Sequence, residues 1–496
     1  MIAARLTAMV LVSICLSALW VVGQDRADDP VRADDPNRSV RVRFDAAHSH
    51  TWIESPPQPG LNQYHLLAGP SRAAQALVAM GWGVDVQLGA WDESSLNKID
   101  LVVLNLVSAD RPAFRVSEIL AIVDFVRKGG GLIVITDHTN CYFHNHVLEA
   151  LFDQLDLRLT NETACETPPG ALSQGAGWIL VDAFGDHPMV KGIEHVGIQT
   201  GGTVDERFGV AWTSRTSWGD VGRIPMYGEG KGMGFPGNFQ KDPEERQGPL
   251  PVVAAKEFGA GRIVVIGDQN AIGGFFLNYA DNRRLWLQSA LWASGQKEQI
   301  EASLANGLAG ESGRSLIWCV EPMSEHPFYW GSTDRGGYYH AFGLLNKHAD
   351  ARATDRDLID AKWMVVPSDR LMQKDRWRIK TREFLKQPNK HAVVWMDQGQ
   401  IPEQDWVGGL LEGKTTTMLE TEMMRIYTCE DGSTLQLWKQ AQRWSNGELL
   451  GPEATRNDED YRREEALLDP MWKLGLNRMK AFHETIDWLE EQADQR

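Results

Sequence analysis

The sequence lacks the short motifs that mark common enzyme nucleophiles and nucleotide sites. No GxSxG elbow, no Walker loop and no HExxH or CxxC pattern occurs in the 496 residues. Three consecutive glycines occur at 129–131, but they precede an apolar strand pattern, whereas a phosphate-binding loop precedes a helix. The sequence therefore gives no support for a P-loop nucleotide site or for a serine hydrolase.

Positive charge is also scarce. The chain has 50 Lys and Arg against 67 Asp and Glu, a formal net charge of -17. No Lys/Arg-rich stretch is interleaved with aromatic residues, so a nucleic-acid partner is not expected.

Cysteine is rare, and its five positions are dispersed. Cys15 lies in the N-terminal apolar run, which leaves Cys141, Cys165, Cys319 and Cys429. An even number of cysteines in an exported protein permits disulfides. Cys141 with Cys165 is the first pair to test, and four separate buried thiols remain an equal alternative.

The N-terminus has the pattern of a secretory signal. Arg5 precedes an apolar run from Leu6 to Val22, and Gly23 is followed by charged residues. We predict a signal peptide at 1–23 with cleavage after Gly23, a flexible leader at 24–39, and a periplasmic or extracellular location. An uncleaved membrane anchor remains the alternative, because the run approaches the ~17–25 residues that span a bilayer.

From Val40 onward, apolar strand patterns alternate with amphipathic helices. The strands predicted in this part of the chain are 40–44, 83–86, 99–105, 131–136 and 262–268. Strands that are apolar on both faces indicate a parallel sheet covered by helices on both sides. We therefore predict an α/β fold with a doubly wound, flavodoxin-like first domain at 40–297.

A second copy of this pattern is predicted at 314–496. Its strands are 316–321, 362–367 and 391–397, Asp431-Gly432 marks a hairpin, and a charged C-terminal helix ends the chain. We interpret it as a degenerate α/β domain from a divergent internal duplication. Two unrelated domains of a common type are the alternative.

Polar residues follow the predicted strands of the first domain. Because ligands bind beyond the carboxyl ends of parallel strands, these residues are expected to share one rim. The candidate catalytic residues are Asp45, His48, Asp137, His138 and Asp268. The candidate ligand-binding residues are His50, Trp52, Asn105, Asn140 and Asn270.

Histidine beside carboxylate suits a divalent transition metal, so His48 and His138 are the candidate metal ligands. A metal would lower the pKa of bound water toward ~7 and supply a hydrolytic nucleophile. Without metal, Asp137 could orient His138 or His48 as a general base. Histidines hydrogen-bonded in a polar rim without turnover are an equal alternative.

Nineteen tryptophans are present, and an exposed tryptophan can pack on a sugar ring. Trp52 and Trp330 are the two predicted to be exposed near the strand ends. Core packing accounts for most of the others.

Four segments carry a family resemblance. They are 43–48, 129–138, 187–192 and 261–270, within residues 40–295. They resemble a bacterial family of unknown function with the class I glutamine-amidotransferase-like fold. That family is related to the auxiliary domain of gliding-motility ABC transport systems and, more distantly, to trehalose-utilisation-type domains. The resemblance implies a domain without the amidotransferase cysteine, a shared site at Asp45, His48, Asp137, His138 and Asp268, and roles in envelope binding or assembly.

The leading functional hypothesis is an exported, non-amidotransferase ligand-binding protein of the cell envelope, with a glycan or other small molecule as its ligand. The alternatives are a metal-assisted hydrolase at the Asp/His cluster and a structural partner of envelope proteins. Contact with a membrane is expected only through an uncleaved N-terminus. Glu321 and Asp397 stand at equivalent places in the second domain, which lacks the Asp-His pair and is predicted to be inactive.

Overall fold

The computed structural model describes most of the chain between residues 39 and 446. The described ranges are 39–50, 69–109, 111–173, 175–222, 237–296, 307–310, 314–397 and 405–439, with single positions at 300, 304, 442, 445 and 446. The predicted signal peptide, almost all of the leader, Trp52 and the C-terminal helix lie outside the described residues.

The first sheet has eight strands. In chain order they are β1 (Arg41–Asp45), β2 (Gly83–Gln87), β3 (Leu101–Asn105), β4 (Gly131–Ile135), β7 (Ala183–Phe184), β9 (Gly209–Trp212), β11 (Pro251–Phe258) and β12 (Gly261–Ile266). Across the sheet the order is β2-β1-β3-β4-β12-β11-β9-β7.

The first sheet is mixed and not wholly parallel, which corrects the sequence prediction. The five strands from β2 to β12 run parallel. Beyond them, β11, β9 and β7 pair antiparallel. Of these three, β9 and β7 are short and lack the apolar runs of the parallel strands, whereas β11 pairs with β12 as the first arm of a hairpin.

Helices cover both faces of this sheet. They are α1 (Ser71–Ala79), α2 (Glu93–Leu96), α3 (Val116–Arg127), α4 (His144–Gln154), α5 (Gln269–Ile272) and α6 (Asn282–Ala293). Alternate residues of β4 enter different cores: Ile133 and Ile135 pack in the cluster that includes α1 and α6, whereas Leu132 and Val134 pack in the cluster that includes α3 and α4. Burial on both faces explains the unbroken apolar sequence of β4.

The second sheet has seven strands, β13 (Leu316–Val320), β14 (Asp350–Thr354), β15 (Trp363–Val366), β16 (His391–Trp395), β17 (Thr416–Glu420), β18 (Met424–Cys429) and β19 (Thr434–Trp438). Its order is β14-β13-β15-β16-β19-β18-β17. The helices of this part are α7 (Tyr339–His348), α8 (Asp375–Leu385) and α9 (Asp405–Leu410). The hairpin predicted at Asp431-Gly432 is confirmed, because β18 and β19 pair antiparallel around it.

Two small antiparallel sheets complete the strands. One pairs β5 (Glu162–Cys165) with β10 (Trp218–Val221), and the other pairs β6 (Trp178–Val181) with β8 (Val196–Gln199). The loop after β8 lies against the carboxyl end of β4 and therefore helps to form the candidate site.

Both large sheets belong to one compact unit, and an apolar cluster of the second sheet also includes residues that precede and follow the first sheet's last strand. Phe276 and Tyr279 follow α5 and contribute to the same cluster as Phe342 of α7. The Ala280 N–H also donates to the Ala353 carbonyl across 2.8 Å.

The four cysteines of the described residues are buried thiols outside any disulfide. The pairing of Cys141 with Cys165 is therefore wrong for this structure. No helix among the described residues is both long and apolar enough to cross a bilayer.

Candidate functional site

The carboxyl ends of β1, β3, β4 and β12 lie side by side in the first sheet, as the order of these strands requires. We call the polar residues at these four strand ends the rim. The structure brings them together along one edge, but it divides their side chains into two hydrogen-bonded groups.

Asp45 belongs to the first group and has both carboxylate oxygens occupied. Its Oδ2 accepts from the backbone N–H of His48 at 2.9 Å and of Ser49 at 2.6 Å, and its Oδ1 accepts from Trp91 Nε1 at 2.9 Å. These bonds hold the loop after β1 against the loop after β2. Asp45 is buried, so its carboxylate organises the backbone and does not face solvent.

His48 is buried in the same group and has an acceptor at each ring nitrogen. Nδ1 lies 2.6 Å from the Pro112 carbonyl oxygen, and Nε2 lies 3.1 Å from Glu118 Oε1. The Phe114 ring lies over the imidazole, with 4.1 Å between ring centroids. Each ring nitrogen is therefore within hydrogen-bond distance of an oxygen atom, and neither nitrogen is left to bind a metal.

Glu118 is the residue of this group that sequence reasoning missed. Besides His48, its carboxylate accepts from the backbone N–H groups of Trp91 and Arg115, each at 2.9 Å. Burial raises the pKa of Glu118, but these hydrogen bonds and His48 outweigh burial and hold the pKa below its ordinary value. The Arg115 bond also shows that α3 begins with a capping interaction, in which Glu118 accepts from the N–H of the N-cap residue Arg115.

The second group is centred on Asp137 and Asp268. Asp268 is fully buried and accepts from the backbone N–H of Gln199 at 2.7 Å and of Asn270 at 2.8 Å. Burial raises the pKa of Asp268 to about 7, and burial together with neighbouring Asp268 raises the pKa of Asp137. Two neighbouring buried carboxyls do not both ionise readily, so the pair favours either a shared proton or a cation.

His138 and Cys141 lie beside this pair in a tight turn. The Cys141 N–H donates to the His138 carbonyl at 3.0 Å, which brings the two side chains together. One ligand atom each from Asp137, His138 and Cys141 lies within 4.8 Å of the others, and all three residues are buried. Burial and the neighbouring His144 lower the pKa of His138 to about 3.

The half-exposed part of the rim is formed by other residues. His50 stacks on Tyr142 with 3.6 Å between ring centroids, and Asn140 Nδ2 lies 2.9 Å from His146 Nδ1. Asn270 is half-buried beside Asp268, whereas Asn105 is buried and its backbone N–H donates to the Ser49 hydroxyl oxygen at 3.0 Å.

The backbone around this rim contains unusual conformations. Leu106, Thr139, Tyr142, Phe143 and Thr200 all have positive φ, between 45° and 60°. Such conformations cost ~1–3 kcal/mol each and cluster at functional sites. Gly202 permits a further close approach, since a Cβ there would lie 2.5 Å from the Asp137 carbonyl oxygen.

The second sheet carries a related arrangement at Glu321, which follows β13. Its carboxylate accepts from the N–H groups of Tyr329 at 2.9 Å and Trp330 at 2.7 Å and from the Tyr279 hydroxyl at 3.3 Å. The prediction that Trp330 is exposed is wrong, because its ring is fully buried against Trp395 and Phe342. Asp397 is half-buried and pairs with Arg370 at 2.8 Å.

Glu321 gives a prediction for the pH dependence of stability. Burial raises its pKa from 4.5 to about 7, so the folded state binds this proton more tightly than the unfolded state. The stabilisation is complete below the unfolded pKa and is lost as the pH rises through 7. The loss of stabilisation amounts to about 3 kcal/mol between pH 4.5 and 8.

Urea denaturation of Glu321→Gln across this range should show a flatter pH dependence of the free energy of unfolding than the wild type. The partly exposed Glu325→Gln is the matched control and should follow the wild type, whereas parallel curves for Glu321→Gln and wild type would contradict the assignment.

Neither the protein-family models nor the curated proteins compared with the sequence match it. Among solved structures, the mmIFT52 N-terminal domain is 13% identical with a TM-score of 0.35, covering 51% of this chain and 97% of that chain. A protein described as ThuA-like from Parabacteroides merdae is 13% identical with a TM-score of 0.31, covering 52% of this chain and 90% of its own. A second, from Bacteroides uniformis, is 11% identical with a TM-score of 0.29, covering 53% of this chain and 95% of its own. The structural neighbours of the chain thus include ThuA-like proteins.

Proposed function

We propose that the chain is an exported, non-amidotransferase protein that binds a glycan or a related small molecule at the rim of the first sheet. One observation carries this proposal. The side chains of the rim that reach solvent are aromatic and amide groups, His50, Tyr142, Asn140 and Asn270, whereas the carboxylates and His48 and His138 are buried. A ligand at the surface therefore meets this stacked and amide face before it meets the buried carboxylates, His48 or His138.

The stacked pair of His50 and Tyr142 supports a sugar ligand. Aromatic faces pack on the apolar face of a sugar ring, and nearby amides can bond its hydroxyls. Asn140 supplies such an amide beside the pair.

The position of Cys141 argues against amidotransferase chemistry. Its side chain is 3% exposed, and it starts a short 3-10 turn, Cys141–Phe143, without flanking glycines. A nucleophile must be presented to its substrate on an exposed elbow, and this thiol is not.

The strand orders support a finer description of the fold. The parallel part of the first sheet, β2-β1-β3-β4-β12, has the 2-1-3-4-5 order of flavodoxin-like domains. The second sheet repeats it as β14-β13-β15-β16-β19, and in each case the last strand is the second arm of an antiparallel hairpin. This repetition favours two flavodoxin-like domains related by duplication, and the first fits the amidotransferase-like resemblance.

A glycan array probed with the full chain tests the ligand proposal. Tyr142→Ala and His50→Ala should each weaken the response about tenfold, which corresponds to ~1.4 kcal/mol. His326→Ala, an exposed histidine in the loop after β13, is the matched control and should bind as the wild type does. No saccharide response from the wild type, or equal binding by all variants, would overturn the proposal.

A metal-assisted hydrolase is the second candidate function. The observation in its favour is the convergence of Asp137, His138 and Cys141. Because these three residues are buried, a metal bound to them is better placed to stabilise the rim than to activate water for a substrate.

A further inference from the structure

Three different ligand chemistries converge after β4. Asp137 offers a carboxylate oxygen, His138 an imidazole nitrogen and Cys141 a thiol sulfur, all within 4.8 Å of one another and all buried. Zinc and similar divalent ions bind this combination of oxygen, nitrogen and sulfur.

The spacing is close to that of a bound ion. Tetrahedral zinc with bonds of ~2.0–2.3 Å separates its ligand atoms by roughly 3.3–3.8 Å, so closure requires side-chain movements of about 1 Å. The turn from His138 to Cys141 already fixes the backbone through the Cys141 N–H bond at 3.0 Å.

The local charge also favours a cation. Asp137 and Asp268 are neighbouring buried carboxyls, and among the described residues no lysine, arginine or histidine forms an ion pair with either. A second group of possible metal ligands contains Glu194, His195 and Asp355. This group already has a positive charge beside it, because Arg356 lies 3.4 Å from Glu194 and also pairs with the nearby Asp281. Positive charge is thus already present at the second group and is missing at the first.

We propose that Asp137, His138 and Cys141 bind a divalent transition-metal ion of the zinc class, with Asp268 next to it as a further carboxylate. On binding, the Cys141 sulfur forms the metal bond and its proton passes to solvent. The ion joins the end of β4 to the turn before α4. The metal site is separate from the glycan site proposed above. Its three ligands are buried, whereas the proposed glycan contacts belong to the half-exposed part of the rim.

Cobalt(II) and zinc(II) binding by the purified full chain test this site. We expect about one equivalent of metal by elemental analysis after dialysis, and for cobalt a thiolate-to-metal charge-transfer absorption. Cys141→Ser should abolish that absorption and weaken zinc binding at least about 100-fold, since even outer-shell changes cost ~10–100-fold. Cys165→Ser removes another buried thiol and should keep both properties.

Absence of the charge-transfer absorption in the wild type would overturn the proposal, whatever the folding of the variants. Equal zinc affinity of folded Cys141→Ser and wild type would also overturn it. Glycan binding measured in parallel separates the two proposals, because loss of metal by Cys141→Ser with unchanged saccharide response would support the metal site alone.

Discussion

Replacing Asp45 by alanine is expected to lower the free energy of unfolding by about 3–5 kcal/mol. The change leaves three donors without their acceptor, the backbone N–H groups of His48 and Ser49 and the indole of Trp91. Each buried donor without a partner costs ~1–3 kcal/mol, and bonds to a charged acceptor are at the upper end of that range. Urea denaturation at neutral pH measures the difference.

Asp85→Ala is the matched control for this substitution. Asp85 lies on the neighbouring strand β2 and pairs with Arg43 at 2.7 Å, but its side chain is 61% exposed. Its loss should cost less than about 1 kcal/mol. Equal effects of Asp45→Ala and Asp85→Ala would show that Asp45 does not organise the loop.

Glu118→Ala should have a comparable effect, about 3–5 kcal/mol, because it leaves His48 buried without its carboxylate. It also leaves the N–H groups of Trp91 and Arg115 without an acceptor. A double-mutant cycle with His48→Ala should give a coupling energy of about 1–3 kcal/mol, since the two side chains are in contact.

The pH dependence of the Glu118 effect gives a second check. Because the folded pKa lies below the ordinary 4.5, the stabilisation is present above that value and is lost as the pH falls through it. The difference between wild type and Glu118→Ala should therefore shrink in acid. Additive single effects, or a difference that grows in acid, would contradict the buried pair.

The parallel strands could be predicted from the sequence because each is a short apolar run buried on both faces. Strands β3 and β4 are buried at every residue, so their sequences consist almost entirely of apolar residues. The short antiparallel strands β9 and β7 were missed because they have four and two residues, too few to establish a period. Their position beyond β11 at one end of the sheet is decided by tertiary pairing.

The position of the rim could be predicted from the sequence, but the hydrogen-bond partners of its residues could not. His48 and Glu118 are 70 residues apart, and Glu118 reads locally as a helix-capping residue, so nothing in the sequence joins them. The expectation that His48 and His138 share a metal has no counterpart among the described residues. The candidate group at β4 contains Cys141 in place of His48. Cys141 stands three residues after His138 in the sequence, but no CxxC or HExxH spacing marks it as a metal ligand.

The two buried groups are expected to have different roles: Asp45, His48 and Glu118 hold the loops together, whereas Asp137, His138 and Cys141 bind the proposed metal ion. The zinc-induced increase in melting temperature, compared between Glu118→Gln and His138→Asn, tests this most directly. Glu118→Gln should melt earlier than wild type yet keep the increase with zinc, because a ligand that binds only the folded state stabilises it. His138→Asn should lose the increase. A full zinc response in His138→Asn, or its loss in a folded Glu118→Gln, would contradict the division.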